Sequence, residues 1–216
     1  MSNVRVTYSG LIAFAVAIIG VFSGMVFVVM VSRKITPEDF GLWSLIGSMV
    51  SYVIIFEPIT TYWTTRQLAR GEKVVKTALT NISIFSAGGM IIYSIIAVFI
   101  SASLGADFHI LLLASLLIPI MFFNNLLDGI VLTHKPQVIS YGTIGLELSK
   151  IPIGIIFVVA MQWGIVGALL TTIFASFIRL VILFVSIKPL ITDKVQTNVI
   201  KYWLRMSWLL LYRTSA

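Results

Sequence analysis

The chain has 216 residues, of which 59% are hydrophobic and only 11% are charged, whereas charged residues make up about a quarter of an ordinary soluble domain. With a mean hydropathy of +1.05, this composition excludes a soluble enzyme, a disordered chain and a nucleic-acid-binding domain. The formal net charge of +7 is interpreted as membrane topology, because Lys and Arg accumulate on the cytoplasmic loops of membrane proteins.

Long uncharged runs predict an all-α bundle of six transmembrane helices within residues 1–190, because about 20 apolar residues cross a bilayer. The predicted spans are 11–31, 40–60, 78–104, 109–132, 137–161 and 165–187. Pro119 lies in the fourth span and Pro152 in the fifth, and each removes a helix hydrogen bond and permits a kink. Each proline is therefore either a tolerated kink or a hinge for gating. Residues 191–216 predict an amphipathic linker and the start of a possible seventh hydrophobic element.

The distribution of Lys and Arg predicts the orientation of these spans. One side of the membrane receives ten of them, namely Arg5, Arg66, Arg70, Lys73, Lys76, Lys135, Lys188, Lys194, Lys201 and Arg205. The other side receives only Arg33 and Lys34. By the positive-inside rule both chain ends are expected in the cytoplasm, as in a multi-pass protein of the cytoplasmic membrane.

Polar residues inside the spans recur at helical spacing and form stripes along single helices. They are Asn124, Asn125 and Asp128 in span four, Ser140, Thr143, Glu147 and Lys150 in span five, and Thr172, Ser176 and Arg179 in span six. Because an unpaired charge in hydrocarbon costs several kcal/mol, these stripes must face protein or water. Eight of these residues are predicted to line a substrate cavity: Asn124, Asn125, Asp128, Glu147, Lys150, Thr172, Ser176 and Arg179.

Glu147 and Arg179 are expected at similar depths, roughly 12–15 Å into the membrane at a rise of about 1.5 Å per residue. They form either a structural ion pair between spans five and six, or part of a charged cavity wall. In the second interpretation Arg179 and Lys150 face an anionic substrate, and Glu147 is a counter-ion or a proton or cation site. Glu57 and Asp128 lie nearer the cytoplasmic face, where snorkelling to the interface accounts for them.

Enzyme chemistry and a bound metal are not predicted. His109 and His134 are expected on opposite faces of the membrane, so they cannot share a metal ion. No pair of acidic residues has a metal-ligand spacing, and no Gly-rich phosphate loop is present.

Three segments carry a family resemblance. The first segment matches a pattern in which an Arg ends the first span, a Pro-Glu pair follows, and an aromatic-Gly pair opens the second span. The matching residues are Arg33, Pro37, Glu38, Phe40 and Gly41. Similar segments follow at 65–70 and 164–170, whereas residues 57–59, Glu-Pro-Ile, replace a frequent acidic-Gly-Leu turn. Over about residues 10–190 the chain resembles the oligosaccharide flippases of polysaccharide biosynthesis (O-antigen translocase-like), within the multidrug/oligosaccharidyl-lipid/polysaccharide exporter superfamily.

The resemblance implies the N-terminal six-helix lobe of a two-lobe fold, as a truncated or half-sized protein that needs a second lobe or a partner chain. It also implies alternating-access transport of a lipid-pyrophosphate-linked oligosaccharide in contact with membrane lipids, with no cofactor. An H⁺ or Na⁺ gradient, or substrate turnover, would drive the movement. A cation-coupled multidrug antiporter of the same superfamily and a non-transporting scaffold or remnant are the alternatives.

Overall fold

The computed structural model describes the backbone of residues 6–214 and the side chains of residues 10–207. It is 86% helical, and the described part contains no strand. The α-helices are α1 Val6–Ser32, α2 Pro37–Ile54, α3 Pro58–Ala69, α4 Val75–Leu104, α5 Phe108–Ala114, α6 Leu117–His134, α7 Gln137–Gly154, α8 Gly164–Ile187 and α9 Thr197–Thr214. A π-helical segment, Ile155–Ala160, extends α7, and a short 3₁₀ turn, Lys188–Leu190, follows α8.

Five helical segments are long and apolar enough to cross a membrane. They are Gly10–Ser32, Val75–Leu104, Phe108–His134, Gln137–Ala160 and Gly164–Leu190. The bent pair α2 and α3 makes a sixth if it is counted as one span. The chain is therefore a multi-pass helical membrane protein, and these five segments confirm the corresponding predicted spans to within three residues at either end.

The second span differs from its predicted form, a single run over 40–60. It breaks after Ile54 and bends by 52° before continuing as α3 to Ala69. Pro58 explains the break, because it lacks an N–H and its ring clashes with the carbonyl four residues earlier, which is that of Ile54. Pro58 also suits the first turn of the new helix. The bend places Glu57 at the corner between α2 and α3.

Both predicted hinge prolines lie beside departures from α-helical geometry. Pro119 follows a break at residues 115–116, where the N–H groups of Ser115, Leu116 and Ile118 donate to carbonyls three residues earlier. Pro152 lies in the last turn of α7, just before the π-helical segment. A π-helical turn inside a helix is often found at a functional site, so a gating role for these prolines stays a prediction.

The core of the bundle is built around α6. Its residues Ile118, Phe122, Leu126 and Ile130 are almost completely buried, and α3, α4 and α8 pack around it. By contrast, α1 packs chiefly along α7 and exposes large apolar side chains on its outer surface. This exposed apolar surface suits a hydrocarbon solvent rather than water.

Three segments lie together at one end of the bundle, which we call the basic end: residues 70–74, residues 135–136, and residues 188–196. The backbone N–H of Lys76 donates to the carboxylate of Asp193 at 3.3 Å, and that of Gln196 donates to Thr77 Oγ1 at 3.0 Å. A cleft of about 380 Å³ is lined by residues of the first and third segments, including Glu72 and Thr192, and by His134 at the end of α6. Arg5, which was counted with this side, lies outside the described residues.

The amphipathic helix predicted after span six is α9. Its Trp203 side chain is fully buried and donates from Nε1 to Gln67 Oε1 of α3 at 3.0 Å. In return, Trp63 Nε1 of α3 donates to Ser207 Oγ at 3.3 Å. Packing of the indole rings and these two hydrogen bonds hold α9 against α3. The side chains of the predicted seventh element, from residue 208 onward, lie outside the described residues.

Candidate functional site

The first group of polar side chains within the bundle surrounds Asp128 on α6, and we call it the Asp128 cluster: Glu57, Asn125, Asp128 and Arg179. Arg179 Nη2 on α8 lies 2.6 Å from Asp128 Oδ2. The Arg179 and Asp128 side chains are 20% and 26% exposed, respectively, so the ion pair is partly accessible. Asp128 Oδ1 and Arg179 Nε are buried without a hydrogen-bond partner, so each side chain keeps unused bonding capacity.

Asn124 reinforces this contact between α6 and α8 one helical turn before Asp128. Its Nδ2 donates to the backbone carbonyl of Ser176 at 3.1 Å, and its Oδ1 is buried without a partner. Asn124 and Ser176 are both buried, whereas Asn125 is half-buried. Four of the predicted cavity residues, Asn124, Asp128, Ser176 and Arg179, therefore meet at the contact between α6 and α8, with Asn125 on its edge.

Glu57 joins the cluster from the α2–α3 corner. Its carboxyl accepts a hydrogen bond from the Thr61 hydroxyl and lies close to the Asn125 amide and the Asp128 carboxylate. Only 5% of Glu57 is exposed, so the expectation that it snorkels to the interface is wrong. The physical reason is the bend, which turns this short side chain towards α6. Asp128 does not depend on snorkelling either, because Arg179 compensates its charge.

The second polar group lies between α1 and α7. Lys150 Nζ is 2.7 Å from Glu147 Oε2, an ion pair between residues three apart on α7. Ser23 Oγ on α1 donates to the Glu147 backbone carbonyl at 3.2 Å. The Glu147 carboxylate lies beside Gly20 of α1, where an added Cβ would make an ordinary contact 3.9 Å from Oε1. Glu147 is buried and is directed towards α1.

The expected ion pair between Glu147 and Arg179 is therefore corrected: each residue has a different partner. Depth along two helices was inferred from residue counts, but counts do not determine rotation about the helix axis. The Arg179 stem packs on α7 at Gly142, where an added Cβ would lie 3.3 Å from Arg179 Cγ. Its guanidinium reaches Asp128, whereas Glu147 turns to the other neighbour of α7.

Two hydroxyl groups of the predicted stripes bond within their own helices. Thr172 Oγ1 donates to the Ala168 carbonyl at 3.0 Å, and Thr143 Oγ1 donates to the Ile139 carbonyl at 3.0 Å. This local bonding satisfies the hydroxyl hydrogen in an apolar surrounding. Thr172 is half-buried and does not join the hydrogen bonds of the Asp128 cluster.

The chemistry available to the Asp128 cluster follows from its charges. Glu57 and Asp128 are two carboxyl groups, and Arg179 is one guanidinium. With all three ionised, the cluster has one excess negative charge in a region where unpaired charge is costly. One proton or one monovalent cation removes that excess. Arg179 is also suited to phosphate, because its planar fork of donors binds phosphate oxygens in pairs.

Residue patterns missed Glu57 as a site residue and missed its contact with Thr61. The available signal was an acidic residue directly before a proline in an otherwise apolar run.

The close approach of α3 to α6 at Gly129 was also not predicted. A Cβ added at Gly129 would lie 2.6 Å from Thr61 Cγ2 and 2.7 Å from Thr65 Oγ1. A glycine in an apolar helix has many roles, so its partner helix was not predictable.

Comparison with protein-family models, curated proteins and solved structures finds no match. The function is therefore argued from the residues and geometry of the Asp128 cluster and from the three segments that resemble oligosaccharide flippases.

Proposed function

We propose that the chain is one six-helix lobe of a flippase in the cytoplasmic membrane. It would move a lipid-pyrophosphate-linked oligosaccharide by alternating access, together with a second lobe or partner chain. The observation that carries this proposal is the Asp128–Arg179 ion pair, which is partly accessible within apolar helices and retains unused bonding atoms. In a bilayer, such charged groups typically line substrate or ion pathways.

The orientation in this proposal places the basic end of the bundle in the cytoplasm. Ten of the fifteen Lys and Arg residues are assigned to that side from the sequence, and this bias is the main determinant of orientation. The opposite end contains the turn that resembles the flippase family, where Thr36 caps α2 through a 3.2 Å hydrogen bond from the Asp39 N–H and Pro37 occupies the first turn.

In this mechanism Arg179 exchanges partners. With a substrate in the cavity, its guanidinium offsets the pyrophosphate charge and leaves Asp128. A proton or cation then compensates Asp128 and Glu57. Release of the substrate returns Arg179 to Asp128 and the cation to solution, which links substrate movement to an H⁺ or Na⁺ gradient.

Removing both charges tests this role. Arg179→Gln alone leaves Asp128 without its partner, and we expect lower membrane abundance, since breaking a buried pair costs up to about 3–5 kcal/mol and partial exposure lowers that figure. Asp128→Asn with Arg179→Gln removes both charges; Asn matches Asp in size, and Gln is a shorter side chain than Arg. We expect normal abundance of this double variant but no complementation of a flippase-deficient strain, assayed with a second lobe co-expressed.

The matched control is Glu147→Gln with Lys150→Gln, which neutralises the other intramembrane ion pair of this lobe. It should keep more activity than the first double variant, because its charges satisfy each other on one helix. Full activity of the Asp128/Arg179 double variant would reduce that pair to a structural contact. If the wild-type chain fails to complement with any second lobe, a non-transporting scaffold becomes the better interpretation.

A cation-coupled multidrug antiporter is the second candidate, and the excess negative charge of the Asp128 cluster favours it. In that case the cluster would bind a lipophilic cation directly, with no requirement for pyrophosphate. Equilibrium binding of tetraphenylphosphonium to the purified chain, compared with a prenyl pyrophosphate, distinguishes the two. Tight tetraphenylphosphonium binding that is lost on Glu57→Gln would favour the antiporter.

A further inference from the structure

A small cleft lies between α3 and α9 at the basic end. Its volume is about 180 Å³, and its lining consists of Trp63, Arg66, Gln67, Arg70, Tyr202 and Met206. Since one buried water needs only about 10–15 Å³, the cleft has room for a phosphate group and accompanying waters. No acidic side chain among residues 10–207 lines it.

The polar groups in this cleft are suited to an anion. Arg66 lies in the last turn of α3 and Arg70 directly follows that helix, four residues later, and both are exposed. Neither forms an ion pair within 4 Å with a described residue. Arg66 Nη1 donates weakly to Tyr62 Oη at 3.4 Å, and its guanidinium carbon lies 5.7 Å from the centre of the Trp63 ring. The ring holds the guanidinium by a cation–π contact and leaves most of its donors available.

Gln67 adds a further donor whose orientation is determined by its neighbour. Trp203 Nε1 can only donate a hydrogen bond, so the Gln67 oxygen must face it, as the 3.0 Å contact indicates. The Gln67 amide NH₂ is then directed elsewhere. The other described residues that line the cleft are two arginines, two aromatic residues and Met206, and an anion accepts hydrogen bonds from such an amide.

The aromatic residues place this cleft at the level of the lipid headgroups. Trp63 and Tyr202 pack edge to face with centroids 5.6 Å apart, and Tyr62 packs on Trp63 at 5.3 Å. Trp and Tyr are enriched at the membrane–water interface. The helix α9, with Trp203 buried and Lys201 exposed, has the character of a helix that lies in this interface.

We propose that the cleft between α3 and α9 binds the phosphate of an anionic membrane phospholipid. The two arginines and the Gln67 amide bind the headgroup, and the acyl chains remain in the bilayer beside the helices. A headgroup held there contacts both helices and strengthens their association. Basic pockets between helices at the membrane surface bind anionic headgroups on the same principle. This inference does not depend on the proposed transport function.

The test measures binding of phosphatidylglycerol to the purified full chain in neutral detergent by native mass spectrometry. Each cationic residue near a membrane surface contributes about five-fold in affinity, so Arg66→Gln with Arg70→Gln should weaken binding by about 30-fold. Both side chains are exposed, so the bundle should fold normally. The control variant is Lys194→Gln with Lys201→Gln, which removes two exposed charges from the same end but outside the cleft, and it should bind much more tightly than the arginine variant.

Further ligands identify the source of the phosphate. We expect phosphatidylcholine to bind more weakly than phosphatidylglycerol, and neither inorganic phosphate nor a prenyl pyrophosphate to displace phosphatidylglycerol at matched concentration. Equal losses in the two double variants, or equal binding of the two lipids, would overturn the proposal. Displacement by inorganic phosphate would make this a free-anion site, and displacement by the prenyl pyrophosphate would assign the cleft to a transported substrate; either result also overturns it.

Discussion

The contact between the π-helical segment and α8 allows a quantitative prediction at Gly167. A Cβ added there would lie 2.8 Å from the carbonyl oxygen of Phe157 and 3.0 Å from its carbonyl carbon. These are backbone atoms, so a rotamer change cannot relieve the clash. Gly167→Ala therefore requires α8 to move away from residues 155–160.

Two opposing contributions determine the size of the effect. Overpacking a well-packed core typically costs about 1–3 kcal/mol. Replacing Gly by Ala inside a helix returns about 1 kcal/mol through helix propensity. We expect net destabilisation of about 1 kcal/mol for Gly167→Ala, and more for Gly167→Val, since its branched side chain enlarges the clash while its propensity gain is smaller.

Gly47 in α2 provides the matched control, because a Cβ added there would meet nothing within 4 Å. Gly47→Ala should leave stability unchanged or raise it by up to about 1 kcal/mol. The assay is unfolding of the detergent-purified chain followed by Trp fluorescence. Trp163 is a local probe, since it stacks on Phe157 with centroids 5.3 Å apart. Equal stability of Gly167→Ala and Gly47→Ala would refute this reasoning.

Three further predictions concern the two ends of the bundle. Lys34→Gln should leave membrane insertion and transport intact, as measured by abundance and complementation, since the adjacent turn is held by a helix cap; loss of transport in inserted protein would assign a substrate role to that charge. Reporter fusions after Lys188 should indicate the cytoplasm and fusions after Trp163 the exterior, and an exterior signal at Lys188 would refute the orientation. Trp203→Phe removes the donor to Gln67 and leaves its oxygen unsatisfied, which costs about 1–3 kcal/mol; faster limited proteolysis within residues 191–196 is expected, and an unchanged rate would show that α9 is held by other contacts.

The amino-acid sequence alone was sufficient to predict the helical class and most helix limits. Uncharged runs long enough for a bilayer end at charged or turn-forming residues, so five segments appear nearly where hydropathy places them. The start of α2 was also readable locally, because Pro37 and the two acids after it favour the first turn of a helix.

The partners of the buried charges were decided only by the tertiary structure. Hydropathy and residue counts describe position along a helix axis, so they placed Glu147 and Arg179 at similar depth but did not determine their rotation. Packing of the Arg179 stem on Gly142 leaves its guanidinium at Asp128, and the bend before Pro58 brings Glu57 close to the same carboxylate. A charge in an apolar medium needs a partner. Which partner it reaches depends on how closely the neighbouring helices approach each other and on how each helix is rotated about its axis.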